Sequence, residues 1–273
     1  RHHYRPQGPG DAIPTQAVAA TVALADKLDT LVGFFAIDER PTGSRDPFAL
    51  RRAALGVLKI ILGGRIQLEL RGNDLLLDHL RRYPAFAQIT YLEAAPILEA
   101  LTFGFLEDRL EVLLRDQGDR VDVVRAVFER TMRGFNPLQL VSSVEALSAF
   151  LATDDGANLL AGYKRAVNIL KAEEKKGALP EGEPLAMPGA APEEATLIAA
   201  VAEVDAAVAG ALEAEDFAVA MQALANLRAP VDAFFDKVLV NSEVAAEREN
   251  RLRLLARVRD AMGRVADFGQ VTG

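Results

Sequence analysis

Cysteine and tryptophan are absent from the 273 residues, and the only histidines are His2, His3 and His79. No disulfide, thiolate metal site or cysteine nucleophile can form, and an imidazole-based metal centre has little to draw on. The lack of cysteine agrees with a cytosolic protein. Aromatic residues make up 6% of the chain, too few for a core built on sheets, whose strands favour aromatic and β-branched residues. No uninterrupted apolar run approaches the eighteen or so residues of a membrane span. The phosphate loop G-x-x-x-x-G-K-[ST], the dinucleotide turn G-x-G-x-x-G and the nucleophile elbow G-x-S-x-G are all missing. No nucleophile–base–acid set stands out, so no catalytic residue is assigned.

What the chain has is leucine, alanine and helical periodicity. Half of its residues are apolar, enough to bury real cores over a length that suits two domains. The opening "RHHYRPQGPGDAIP" begins without Met and has no apolar signal core, and reads as a cut from a longer chain. Helices are expected at about 15–36, 46–62, 73–83, 84–101, 105–117, 121–133, 137–152, 156–176, 193–214, 215–228, 230–240 and 243–265. In the first, Val18, Val22, Leu24, Ala25, Leu28, Leu31 and Val32 form the apolar set. In the second, the stripe is Leu50, Ala54, Val57 and Ile61. Asn136 before Pro137 and Asp154–Asp155 are expected caps. The stretch "GALPEGEPLAMPGAAPEE", residues 177–194, is expected to be a flexible loop. No strand pattern competes, so the fold class is all-α.

Charge divides the chain. Residues 1–140 carry 18 Lys/Arg against 18 Asp/Glu, while residues 141–273 carry 13 against 21, so the net charge of −8 lies in the second part. That balance opposes indiscriminate nucleic-acid binding, yet it permits specific RNA binding along a local basic stripe. The shift in balance near residue 140 is the best hint of a boundary.

Four stretches hold residues of chemical interest. "PTGSRDPFALRRAALG", residues 41–56, sets Asp46 as an N-cap and Pro47 at the first helical position, with Ser44, Arg45, Arg51 and Arg52 beside the same helix start. "ADKLD" places Asp26 and Asp29 on one helix face, as a salt-bridged surface or as part of a divalent-metal site. "AGYKRAVNILKAEEKK" sets Lys164, Arg165, Asn168 and Lys171 at helical spacing, with Tyr163 able to stack, opposite Leu159, Leu160, Val167 and Leu170. "ERENRLRLLARVRDAMGR" surrounds the inward Leu252, Leu255, Val258 and Met262 with Arg248, Arg251, Arg253, Arg257 and Arg259. Arginine and asparagine suit RNA phosphates and base edges.

"ADKLDTLVGFF" followed by "PTGSRDPFALRRAALG" resembles the β subunit of the bacterial heterotetrameric glycyl-tRNA synthetase. The resemblance continues in order through "DRLEVLLRDQG", "GYKRAVNILK" and "APVDAFFDKVLVNSE" to "RENRLRLLARV". It implies an HD-like helical domain over residues 1–135 and a helical anticodon-binding domain, similar to that of arginyl-tRNA synthetase, over 136–273. It further implies a tRNA-binding chain whose partners are glycine tRNA and the α subunit, with no DNA and no membrane. ATP and Mg would serve the α subunit, where glycine is activated, and no cofactor is expected in this chain. The implied tRNA contacts are Lys164, Arg165, Asn168, Lys171, Asn250 and Arg251. Ser44, Arg45, Arg51 and Arg52 become a contact for tRNA or for a protein partner. Arg251 has an alternative role, locking the last helix to Asp236. HD hydrolases bind metal through a His, a His-Asp dyad and a later Asp. Asp26 or Asp29 sits where that later Asp belongs, but no His in this chain precedes an Asp directly, so no metal site is carried over. Two rivals remain at this level: an HD-type metal phosphohydrolase, and a helical scaffold that binds only the α subunit.

Overall fold

A computed structural model describes residues 5–6, 11–70, 74–130 and 134–272. His2, His3 and the end of the helix expected at 121–133 lie outside them. The described residues form twelve α-helices: α1 (Ala17–Ala36), α2 (Leu50–Gly63), α3 (Leu75–Arg81), α4 (Tyr91–Glu99), α5 (Glu107–Gln117), α6 (Val121–Phe128), α7 (Pro137–Leu151), α8 (Asp154–Glu174), α9 (Pro192–Glu213), α10 (Phe217–Ala225), α11 (Arg228–Lys237) and α12 (Ala245–Gly263). Among these residues the only β-type pairing is one isolated bridge, Thr42 to Arg45. The fold is all-α. It comprises two compact units, the first made of Arg1–Val121 and Thr131–Val141, the second of Asp122–Arg130 and Ser142–Gly273.

In the first unit α1 packs on α2 and α3. Leu28, Leu31, Val32 and Phe35 of α1 are buried, as are Leu50, Ala54, Val57 and Ile61 of α2. The spacing, i, i+3, i+4, i+7 in α1 and i, i+4, i+7, i+11 in α2, makes one apolar stripe on each helix. Val18 and Val22, expected inward, are 78% and 46% exposed. They precede the part of α1 that its neighbours cover. Lys27 is buried, and the helices close over its stem because position 56 is glycine. A Cβ there would lie 2.6 Å from Lys27 Cε. Burial holds the Lys27 pKa below the usual lysine value.

The helix expected at 84–101 is divided. A 3-10 turn occupies Pro84–Phe86, and α4 starts afresh after Thr90. Thr90 and Glu93 form a reciprocal cap: the Thr90 hydroxyl accepts from the Glu93 N–H, and the Glu93 carboxylate accepts from the Thr90 N–H at 2.9 Å. That pairing, visible as "TYLE", satisfies two donors at a helix start. Those bonds hold the Glu93 carboxyl below its usual range. Pro96 lies inside α4, and Ala100–Leu106 is a π-helical segment leading into α5.

In the second unit α9 packs on α10, α11 and α12, while α8 packs on α11 and α12. α9 is long and apolar enough, by length and composition, to cross a membrane. Its Leu197, Val201, Val204 and Val208 are instead buried in this unit, and its Asp205 pairs with Arg264 at 2.6 Å and with Arg257 at 3.4 Å. Thr153 caps α8 by accepting from the Gly156 N–H at 3.0 Å. Asp154 and Asp155, expected as the caps, occupy the first turn instead, where carboxylates favour the positive end of the helix dipole. Asn136 caps α7 as expected, accepting from Leu138 at 3.1 Å.

Candidate nucleic-acid interface

α8 turns one polar face to solvent. Lys164 is half-buried, and Arg165, Asn168, Lys171 and Lys175 are exposed. At 100° per residue these five positions fall within an arc of about 120° and run along about 16 Å of axis. The opposite face holds the buried Leu159, Leu160, Tyr163, Ala166 and Leu170. Among the described residues, Lys164, Lys171 and Lys175 take part in no ion pair. The carboxylates at the end of α8 are engaged elsewhere. Glu173 receives Lys176 at 2.7 Å and the Arg248 guanidinium, and these bonds hold its carboxyl below the usual range. Glu174 faces Arg259 at 3.9 Å. The result is a row of positive charge, open to water, inside an acidic region of the chain.

Arg165 has a different neighbour. Its guanidinium lies over the ring of Phe235, 4.3 Å from the centroid. Tyr163, which sequence reasoning set up as a stacking residue, is 6% exposed and packs near Phe268, with ring centroids 5.7 Å apart. Burial pushes its phenol pKa up. The residue on which stacking can be built is Arg165 on Phe235. Sequence reasoning missed Phe235 and Lys175. The first was legible only as half of the doublet "FF" in α11, and the second as the next step of the 164, 168, 171 spacing.

On α12 the two residues expected to contact tRNA are buried. Asn250 is 2% and Arg251 is 7% exposed. Asn250 accepts from the Leu185 N–H and donates to the Leu185 carbonyl, both at 2.8 Å, and also donates to Glu194 at 2.8 Å. Arg251 donates to Glu194 at 2.9 Å and to the Leu239 carbonyl at 3.0 Å, and pairs with Glu247 at 3.2 Å. Both side chains are buried and bonded within the chain, which tells against their expected role as RNA contacts. The alternative lock through Asp236 is also replaced, by Glu194. Arg253 donates to the Glu181 carbonyl at 2.8 Å and Arg257 pairs with Glu183 at 3.2 Å. The 177–194 segment, expected to be flexible, is therefore strapped to α12 at Glu181, Glu183, Leu185 and Glu194. A polar, proline-rich composition shows the lack of a helix. It does not show that side chains elsewhere hold the backbone.

In the first unit the 41–52 segment is a short turn and a late helix start. Thr42 and Arg45 exchange two backbone hydrogen bonds, at 3.0 and 2.8 Å, around Gly43, whose φ of +50° suits glycine. α2 begins at Leu50, so Pro47 is not in its first turn. The Asp46 carboxylate reaches across the turn and accepts from Leu50 at 2.8 Å and Arg51 at 3.0 Å. Arg51 spends part of its guanidinium on the Gly43 carbonyl, 2.7 Å away. Ser44, Arg45 and Arg52 are exposed. Phe48 stacks on Phe34 at 4.1 Å, and beside it opens a cavity of about 530 Å³ lined by Arg40, Thr42, Arg45 and Pro47 among others. Asp26 and Asp29 are exposed on α1. Among the described residues no group of three or more His, Asp or Glu gathers as a metal site.

Known proteins resemble these regions separately. Residues 159–267 match the model of the DALR anticodon binding domain, a stretch that takes in most of α8 and the basic row on it. Residues 1–129 match the model of the glycyl-tRNA synthetase beta subunit. Over 275 aligned positions the chain is 62% identical to the "Glycine--tRNA ligase beta subunit" of Phenylobacterium zucineum (strain HLK1), an alignment that takes in all of this chain and 37% of that relative. Along its length the chain is therefore similar to glycyl-tRNA synthetase beta subunits, of which it spans little more than a third.

Proposed function

We propose that this chain is a tRNA-binding part of a glycine–tRNA ligase, and that the outer face of α8 is where it holds the RNA. The observation that carries this reading is the row of half-buried Lys164 and exposed Lys171 and Lys175 with Arg165 and Asn168, charged but without internal ion pairs, within the stretch that matches a DALR anticodon binding domain. Lysines so placed neutralise phosphates, and the amide of Asn168 can bond a base edge. The surrounding acidic surface repels RNA presented in other orientations, which favours selectivity over affinity. In this reading the chain supplies no catalytic group. Glycine activation, with its ATP and Mg, takes place on the α subunit, in the cytoplasm where tRNA is charged. Neither rival is favoured: the 62% identical relative is named as a ligase subunit, and the row on α8 gives the chain more to do than scaffold. Ser44, Arg45 and Arg52 form a second candidate surface, for the tRNA or for the α subunit.

The test is a salt-titrated binding measurement on the full-length protein with glycine tRNA, a non-cognate tRNA and glycine tRNA with an altered anticodon. Preference for the first over the other two is expected. Equal, strongly salt-dependent binding of all three would reduce the role to backbone attraction, and absence of binding would leave the scaffold.

A further inference from the structure

We propose that Arg165 and Phe235 together form a stacking shelf for one unpaired RNA base, with Asn168 beside it to bond the base edge. The proposal rests on the tRNA-binding reading above and adds the way in which the RNA is gripped. It begins from how α8 and α11 meet. Gly162 of α8 lies against Val231 of α11, and a Cβ at position 162 would come within 2.7 Å of Val231 Cγ1. The glycine lets the helices approach closely at that level. Arg165 is three residues further along α8 and Phe235 four residues further along α11, so the same approach brings this pair together one turn away.

Phe235 has an aromatic neighbour, the residue before it in α11. Its ring meets the fully buried Phe234 edge-on, with centroids 5.6 Å apart. A guanidinium laid on an aromatic face loses rotational freedom while keeping its second planar face. Here that second face belongs to an exposed side chain. A base stacks on such a plane without regard to its identity. Asn168 is one turn along the same exposed strip, and its amide offers both a donor and an acceptor. Lys164 flanks Arg165 in sequence, and Lys171 and Lys175 continue the row where the phosphates on one side of the stacked base can lie. The nearest carboxylate in the preceding turn of α11, Asp232, is paired with Arg228 at 3.0 Å. An exposed arginine used only for its charge has no need of an aromatic ring beneath its guanidinium.

The experiment compares wild type with Phe235→Leu and Arg165→Lys in the full-length protein. The probes are glycine tRNA and the same tRNA with abasic anticodon positions. Leucine keeps most of the buried volume, and a thermal melt checks the fold. Arg165→Lys keeps the charge and loses the plane. Both variants are expected to bind native tRNA about tenfold more weakly and to bind the abasic tRNA as wild type does, with the salt slope on native tRNA unchanged. Equal losses on both probes would overturn the shelf, since the effect would not depend on a base. Wild-type binding by both variants, with glycine tRNA still bound, would overturn the shelf and leave the tRNA-binding reading standing. If wild type prefers neither probe and binds neither at low salt, the reading itself falls and the shelf with it.

Discussion

α8 and α12 are both basic helices of the same unit, and in the sequence they look alike. In the structure their cations have opposite fates. On α12, Arg248, Arg251, Arg253, Arg257 and Arg259 each meet a carboxylate of this chain. On α8, Lys164 and Lys171 meet none among the described residues, and Arg165 meets an aromatic ring. Positive charge in a sequence therefore says little about binding until its partners are known. Cations whose field is cancelled within a few ångströms hold the fold together, and cations left open to water project potential outward. The excess of acid in the second part of the chain is consistent with this division, since several of those acids are the partners of α12.

The largest effect that tests the comparison is on stability. Arg251 pairs with Glu194, and their side chains are 9% and 1% exposed. Replacing Arg251 by Ala leaves a buried carboxylate without its main partner, a change that typically costs about 3–5 kcal/mol. Chemical denaturation is expected to show a loss of that order. If the variant is as stable as wild type, α12 is not the internal brace described here.

Next comes the converse on α8. The triple variant Lys164→Ala, Lys171→Ala, Lys175→Ala is expected to stay within about 0.5 kcal/mol of wild-type stability, as exposed substitutions usually do. Its tRNA affinity should fall at least tenfold, and the slope of log affinity against log salt should flatten by about 2, since each phosphate contact contributes about 0.7–0.9. An unchanged slope would mean that the open row is not where RNA phosphates lie.

How much of this contrast was legible beforehand follows from what a linear pattern encodes. The all-α class and the inward stripes of α2 and α12 follow from local spacing, and Leu50, Ala54, Val57 and Ile61 are buried as that spacing requires. The 164, 168, 171 row was legible for the same reason. What was not legible depends on distant pairing. Glu194 is 57 residues from Arg251, and Leu185 is 65 residues from Asn250, so nothing local marked those two side chains as internal. Phe235 under Arg165 is of the same kind. The start of α2 was misplaced for a different reason. The Asp46 carboxylate reaches four and five residues ahead to cap it, past a turn that Pro47 would otherwise have opened as helix.

A smaller effect is expected from acid. Glu173 sits where the two helices meet, bonded to Lys176 of the α8 end and Arg248 of α12, and its pKa is depressed chiefly by those two hydrogen bonds. A carboxyl whose pKa is lower in the folded state contributes its full stability above its unfolded-state value, and loses it as pH falls through the folded-state value. Denaturation midpoints measured from pH 7 downward should therefore converge for wild type and Glu173→Gln below the ordinary glutamate range. A constant gap at all pH values would show that the carboxylate charge is not what joins the helices there.

The smallest effect belongs to Arg253, at the edge of the α12 network. Its pair with Glu249 is 3.5 Å long and Glu249 is half exposed, so that interaction contributes little in water. Its bond to the Glu181 carbonyl is different in kind, because it fixes backbone rather than neutralising charge. Arg253→Ala should cost no more than about 1 kcal/mol of global stability. It should nevertheless speed proteolysis or amide exchange around residues 179–184, while Leu185, held by Asn250, stays protected. Exchange that rises at Leu185 as well would mean that the strap acts as one cooperative unit. Exchange unchanged at both would assign the order of this loop to its own prolines, and remove one arginine from the contrast with α8.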